Sequence, residues 1–245
     1  MAGFRGQVFM MPGRIRAIDF ARGAAIALMV LFNYSVTLAY FGIIRPPSGF
    51  AYSFALPALI AAAFIFLSGA VARVASERQG KAFGGKYFAR GLKLAAFAAL
   101  VTVFTYLFVP QGTIVFGILH FFAATSFLVP FLAKHKRANL ALGLAAIAAG
   151  ILLQQARFDF PYLLWLGFVP SNFSTFDYFP LLPWAGLLIL GMHFGKCVAR
   201  KAAAVKIGGA VAGVFEFLGR HSLEAYLVHQ PLLILLLAAL GFRLP

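Results

Sequence analysis

Apolar runs about twenty residues long recur seven times along the chain, over Ala17 to Tyr40, Tyr52 to Val74, Gly91 to Val109, Thr113 to Leu132, Leu140 to Gln155, Leu181 to Val198 and Ser222 to Leu240. A bilayer's hydrocarbon core is about 30 Å thick and a helix rises about 1.5 Å per residue, so each run predicts one membrane-spanning helix. The fifth is the shortest. The first is too long for the core of a signal peptide and is followed by several more, so it reads as a retained span. The pattern predicts an all-α, polytopic membrane helical bundle of about seven transmembrane helices. It forms a single domain over residues 1–245, with a short tail over 1–13.

The polar positions between the runs set an orientation. Of the 21 lysines and arginines, eighteen precede span one, lie between spans two and three, four and five, or six and seven, or sit in the ends of the runs beside those connections. Only Arg45, Arg157 and Arg243 fall in the alternate connections and the C-terminus. Cytoplasmic loops hold the excess of Lys and Arg, so the N-terminus is expected inside and the C-terminus outside. The basic connections carry glycine, as in Gly84-Gly85 and Gly208-Gly209, which reads as surface loop or, for Lys206 to Phe217, a short interfacial helix.

Composition narrows the class. The chain is 62% hydrophobic and carries a net charge of +15, with only six acids. A basic chain raises the question of nucleic acid, but these cations sit in short loops between apolar runs rather than on one water-facing surface, which excludes that partner. Membrane lipids are the expected surroundings and the cell membrane the expected location. Cys197 is the only cysteine, so neither an intramolecular disulfide nor a CxxC motif can form. His193 and Cys197, four apart, are too few ligands for a metal site and read as helix packing. Gly191 with Gly195, and Gly209 with Gly213, have the four-residue spacing of close helix approach.

Candidate chemistry begins at the N-terminal end. Arg16, Asp19 and Arg22 recur every three residues, so on a helix they share a face and can pair with one another or clamp a phosphate. Eleven residues beyond Arg22 comes Asn33, about 16 Å along the helix and near mid-membrane. His120 lies about 10 Å from the outer end of span four, and His229 about 12 Å from the cytoplasmic end of span seven. Polar groups at that depth mark functional sites or helix-to-helix hydrogen bonds, and three at similar depth point to a shared polar cavity. Imidazole suits proton transfer and an amide suits a developing oxyanion. Above them, the outer loop of residues 156–180 packs aromatic residues, Tyr178 among them, around polar ones including Asp177. It reads as an interfacial belt or a sugar platform.

Several ordered blocks carry a resemblance. They are Arg14 to Gly23 with Leu28 to Tyr34, Phe64 to Gly69, Phe116 to Phe121, Phe176 to Trp184, and Leu218 to Leu223 continuing to Tyr226 to Pro231. In these the chain resembles the transmembrane acyltransferases related to the catalytic domain of heparan-alpha-glucosaminide N-acetyltransferase, through its bacterial and archaeal branch. The resemblance implies acetyl-CoA as a cytoplasmic acyl donor and an extracytoplasmic glycan or lipid-linked sugar as acceptor. Asn33 would be the counterpart of a catalytic-site asparagine, and Arg16, Asp19 and Arg22 of the charged knot at the cytoplasmic mouth.

On this reading Arg16, Asp19, Arg22, Arg90, Lys93, Arg220 and His221 hold the donor. Asn33 with His120 or His229 does the chemistry, and Asp177, Tyr178, Trp184 and Arg45 hold the acceptor. No metal is called for. One departure stands out: the eukaryotic pattern has a catalytic histidine in the first lumenal loop, and here Phe41 to Ala51 contains none. Many bacterial relatives have histidine where this chain has Asn33. Either His120 or His229 therefore supplies the base, or the chemistry differs, or acyl transfer is absent. The rival is a transporter or permease for a small anionic or lipid-linked molecule built on the same bundle. A homo-oligomer is compatible with the sequence.

Overall fold

A computed structural model gives the fold and describes residues 15–160 and 162–242; the expected tail over 1–13, with Arg5, Arg14 and Arg243, lies outside them. Eight α-helices occur among the described residues: α1 (Arg16–Tyr40), α2 (Leu56–Gln79), α3 (Ala82–Phe108), α4 (Ile118–Lys134), α5 (Ala138–Gln154), α6 (Leu181–Ala204), α7 (Ala210–Arg220) and α8 (Ser222–Ala239). A π-helical turn, Ala51–Ala55, runs into α2, so that segment is helical over 29 residues.

Five of these segments are long and apolar enough to cross a membrane, namely α1, the α2 segment, α3, α6 and α8. The helices α4 and α5 are apolar but 17 residues each, at the short end of the range for a span. Large apolar side chains are turned outward along α3, among them Leu100, Val103, Phe104, Leu107 and Phe108. In water such a stripe would be a liability; in lipid it is the solvent-facing side.

The helix bounds correct the sequence expectation in one informative place. Gly84-Gly85 is not a loop: α3 starts at Ala82 and takes both glycines, Lys86, Arg90 and Lys93 into its first turns. The basic loop is thus a basic helix end, and the connection from α2 is short. At the start of α6, Leu182 leaves the helical region (φ −102°, ψ 126°) because the next residue is Pro183, whose ring crowds an α-helical predecessor.

The described chain forms two compact units, residues 1–67 with 197–245, and residues 68–196. In the first, α1, α7 and α8 pack around Ile18, Ala25, Ile26, Ala212, Leu233 and Leu237. Two glycines make that packing close. A Cβ on Gly23 would lie 1.8 Å from the carbonyl oxygen of Phe215, and one on Gly219 would lie 1.8 Å from that of Asp19. The α1 and α7 backbones therefore touch, an approach that only a missing side chain permits. Gly209 and Gly213 do not serve this purpose, since a Cβ on either would meet nothing within 4 Å.

In the second unit, Phe121, Thr125, Ser126, Val129, Asn139 and Met192 are almost fully buried. Thr125 and Ser126 return their hydroxyl protons to the carbonyls of Phe121 and Phe122, which satisfies them inside an apolar helix. Glu77 gathers three cations here, Arg73 at 3.0 Å, Lys196 at 3.1 Å and Lys136 at 3.2 Å, and so ties α2, α6 and the α4–α5 connection together. Arg73 is buried and also donates to the carbonyl of Ala133.

Candidate active site

Three residues on one face of α1, Arg22, Asn33 and Thr37, meet three on α8. Arg22 donates from Nη2 to Ser222 Oγ at 2.8 Å, Asn33 Nδ2 lies 3.1 Å from His229 Nε2, and Thr37 donates to Gln230 Oε1 at 3.2 Å. The spacings explain the shared face. Eleven and four residues along a helix of 3.6 per turn return to nearly the same azimuth, as do Ser222 and His229 seven apart. These pairs form a polar seam in two otherwise apolar helices.

At its centre the hydrogen bonds fix the state of His229. Its Nδ1 is 2.6 Å from the carbonyl oxygen of Tyr226, which can only accept, so Nδ1 carries the proton. Nε2 then presents a lone pair, and the Asn33 amide donates to it. The other contact of that amide nitrogen is Met29 Sδ at 3.0 Å. Tyr34 donates its phenol proton to the backbone carbonyl of His229 and stacks on the imidazole, with centroids 6.1 Å apart. A buried neutral imidazole with one nitrogen anchored to backbone and the other aimed at an amide is the arrangement of an oriented base.

The charged knot lies at the other end of the seam. Arg16 grips Glu216, with Nε 3.0 Å from both carboxylate oxygens and Nη2 2.8 Å from Oε1. Arg220 donates to Glu216 Oε2 at 3.4 Å and lies 3.9 Å from Asp19 Oδ2. The hydrogen bond and charge of Arg16 hold the Glu216 carboxyl below the usual carboxylate range, and Arg220 adds to this. Asp19 is buried, and its Oδ2 accepts no hydrogen bond among the described residues. Arg22 lies over the ring of Phe64 at 5.4 Å. Glu216 carries no signal in the sequence beyond being one of six acids; the touching glycines of α1 and α7 are what bring it to Arg16. His221 is exposed in the turn between α7 and α8, its ring against Phe217.

The remaining predicted residues fall elsewhere. Arg90 and Lys93, both exposed, are on α3 in the second unit, where Arg90 lies over Tyr87 and Phe122 and Lys93 over Phe97. His120 is also in the second unit, and both its ring nitrogens are engaged. Nδ1 accepts from the backbone N–H of Gly117 at 3.3 Å, which leaves the proton on Nε2 facing Thr102 Oγ1 at 3.1 Å. Thr102 passes its own proton to the carbonyl of Ile114.

Asp177 accepts from the N–H of Ile118 at 2.9 Å and so caps α4. Tyr178 donates to the carbonyl of Leu164, and burial pushes its phenol up to about 12. Trp184 packs on Phe179 at 4.9 Å. Asp177 and Trp184 hold the 156–180 loop to α4 and α6, and Tyr178 ties the loop to itself. Arg45 is exposed in the connection between α1 and the π turn, which holds no histidine.

Among the described residues no group of three or more His, Cys, Asp or Glu is placed to hold a metal ion. No curated protein and no solved structure matches the chain. The family model described as the catalytic domain of heparan-alpha-glucosaminide N-acetyltransferase matches residues 14–231. That match starts just ahead of α1 and ends just past Gln230, so it takes in the whole polar seam and the charged knot. The chain belongs to the heparan-alpha-glucosaminide N-acetyltransferase catalytic-domain family.

Proposed function

We propose that this protein is an integral acyltransferase of the cell membrane. It moves an acetyl group from cytoplasmic acetyl-CoA to an amine or hydroxyl of an extracytoplasmic glycan or glycolipid. The observation that carries this reading is the 3.1 Å contact of Asn33 with His229, which shares α1 with the arginine knot, Arg22 lying about 16 Å along that helix. Family membership supports the donor. Arg16 and Arg220 keep part of their side chains in solvent despite pairing with Glu216, and with Arg22 they offer the donor's phosphates guanidinium groups of the right chemistry. Arg90 and Lys93, in the second unit, also carry exposed positive charge.

The reaction needs a base and an oxyanion partner. The acceptor nitrogen or oxygen attacks the thioester carbonyl carbon and gives its proton to His229 Nε2. The C–S bond breaks as the C–N or C–O bond forms, and the proton passes on to the leaving sulfur. Asn33, freed from Nε2 as the acceptor takes its place, donates to the carbonyl oxygen as negative charge collects there. His229 is preferred to His120 as base because its lone pair faces a movable side chain, whereas Nδ1 of His120 is engaged by the backbone at the start of α4 and Nε2 by Thr102 of α3.

The seven apolar runs correspond to α1 to α6 and α8, with α4 and α5 as short spans and α7 at the interface. The charge pattern, with eighteen of 21 cations on or beside alternate connections, supports an inside N-terminus and an outside C-terminus. Calorimetric titration of the detergent-purified protein with acetyl-CoA tests the donor site. We expect saturable binding that weakens in Arg22→Ala and persists in His229→Ala, which in turn loses transfer. Absence of saturable binding by folded protein would overturn the reading.

A further inference from the structure

The seam has a rung that the reaction as described does not use. Thr37 lies one helical turn, about 6 Å, beyond Asn33 on the side away from the arginine knot, and Gln230 follows His229 directly. Thr37 donates to Gln230 Oε1 at 3.2 Å, and both side chains are half-buried. The carboxamide is only half satisfied by this: Gln230 Nε2 has two protons to donate and no partner among the described residues. As a bond that merely joins helices the pair is a poor solution, because amide donors left open at membrane depth carry a desolvation penalty and Leu would pack without one. Those donors call for an occupant. The surroundings restrict its chemistry. From Asn33 to Tyr40 on α1, and from His229 to Ala239 on α8, the sequence holds no acid or base except His229 itself.

We propose that Thr37 and Gln230 form a hydroxyl-binding subsite for the acceptor, one turn from the Asn33–His229 pair, that takes an uncharged polyhydroxylated ring rather than an anionic one. This rests on the acyl-transfer reading above. The amide of Gln230 donates to a hydroxyl oxygen of the acceptor, and the Thr37 oxygen, its own proton committed to Gln230, accepts a hydroxyl proton. The two contacts hold the ring while its amine or hydroxyl meets His229 Nε2. A phosphate, sulfate or carboxylate placed at the rung would be desolvated with no cation on the facing stretches of α1 and α8 to meet it, so such a group is selected against.

The test uses the full-length protein in detergent with acetyl-CoA as donor and three probe acceptors: methyl β-glucosaminide, its 6-sulfate, and propylamine, which has no hydroxyl. The parent is expected to prefer methyl β-glucosaminide to both others. Gln230→Leu and the isosteric Thr37→Val should each lower the ratio of kcat/KM for methyl β-glucosaminide over propylamine about tenfold, the size of one neutral hydrogen bond. The acceptor KM should rise more than the KM for acetyl-CoA. A ratio unchanged in both variants, or a parent that prefers the sulfated probe, overturns the subsite while leaving acyl transfer standing. A parent that binds acetyl-CoA but transfers to no probe overturns the subsite; one that does not bind it overturns the acyl-transfer reading beneath it. Thermal unfolding of both variants guards against misfolding, and Thr37→Val, which keeps side-chain volume, carries the decision if Gln230→Leu does not fold.

Discussion

Asn33 and His229 stand 3.1 Å apart although 196 residues separate them in the chain. The contact is specified from both sides. Tyr226 holds the proton on Nδ1, Tyr34 holds the backbone of His229, and Asn33 reaches the lone pair that remains. If this pair does the chemistry, His229→Gln should cut kcat for acetyl transfer by roughly 10²- to 10⁴-fold, the usual contribution of a positioned base. Asn33→Ala should cost about 10²- to 10³-fold, with acetyl-CoA binding retained. Steady-state transfer and calorimetry on the same preparations separate the two effects, and a fully active His229→Gln would sink the assignment.

The approach of α1 to α7 is decided by the glycines. Gly219→Ala and Gly23→Ala each place a methyl 1.8 Å from a carbonyl oxygen of the facing backbone, which neither helix can accommodate without moving. We expect each to destabilise the protein by about 2 kcal/mol or more and to weaken acetyl-CoA binding, since the shift carries Glu216 and Arg220 away from Arg16 and Asp19. Gly213→Ala, in open space on the same helix, is the control and should unfold at or above the parent's temperature. Melting curves in detergent would decide it.

Acid should release the same contact through Glu216. Its folded pKa lies below the ordinary 4.5, chiefly because Arg16 hydrogen-bonds the carboxylate. A depressed carboxyl contributes stability that is fully present above its unfolded pKa and is lost as the pH falls through the folded value. Unfolding temperature in the parent should therefore fall below about pH 4.5, and in Glu216→Gln that acid slope should be shallower. Equal slopes in the two proteins would mean that the pair contributes nothing.

Glu77 serves three cations, one of which, Arg73, is buried. Glu77→Gln leaves that guanidinium without a counter-charge, and a loss of about 3 kcal/mol is expected, the low end for a broken buried pair. Glu224→Gln, at an exposed acid in the first turn of α8, should stay within about 0.5 kcal/mol of the parent. Chemical unfolding of the two variants side by side makes the comparison.

Much of the helical framework was legible because a helix in lipid is written locally: each apolar run maps onto one helix, and the segment after α6, read as surface loop or short helix, forms the helix α7. Asn33 and His229 were legible too, since a polar side chain in an apolar run is conspicuous by itself. What could not be read was partnership. Glu216 looks like any acid near a helix end until Gly23 and Gly219 let two backbones touch. Of the two glycine pairs with the familiar four-residue spacing, Gly195 of one lies against Ala70 and Arg73 while Gly209 and Gly213 of the other meet nothing, because spacing gives the face of a helix but not what lies across from it. His120 and Asp177 were legible as polar groups, but not that both accept from backbone N–H groups at the start of α4.

The sequence by itself determined that the chain is a helical membrane protein, where its helices run, and that Asn33, His120, His229 and a set of arginines are candidates. Hydrophobicity and period are properties of neighbours in the chain, and no tertiary contact is needed to express them. Only the tertiary structure decided that Arg22, Asn33 and Thr37 line up against Ser222, His229 and Gln230, and that Glu216 closes on Arg16. Those pairings join residues about 200 positions apart, and which faces meet is fixed by close packing between helices, where the absence of one methyl group at Gly219 matters more than any local preference.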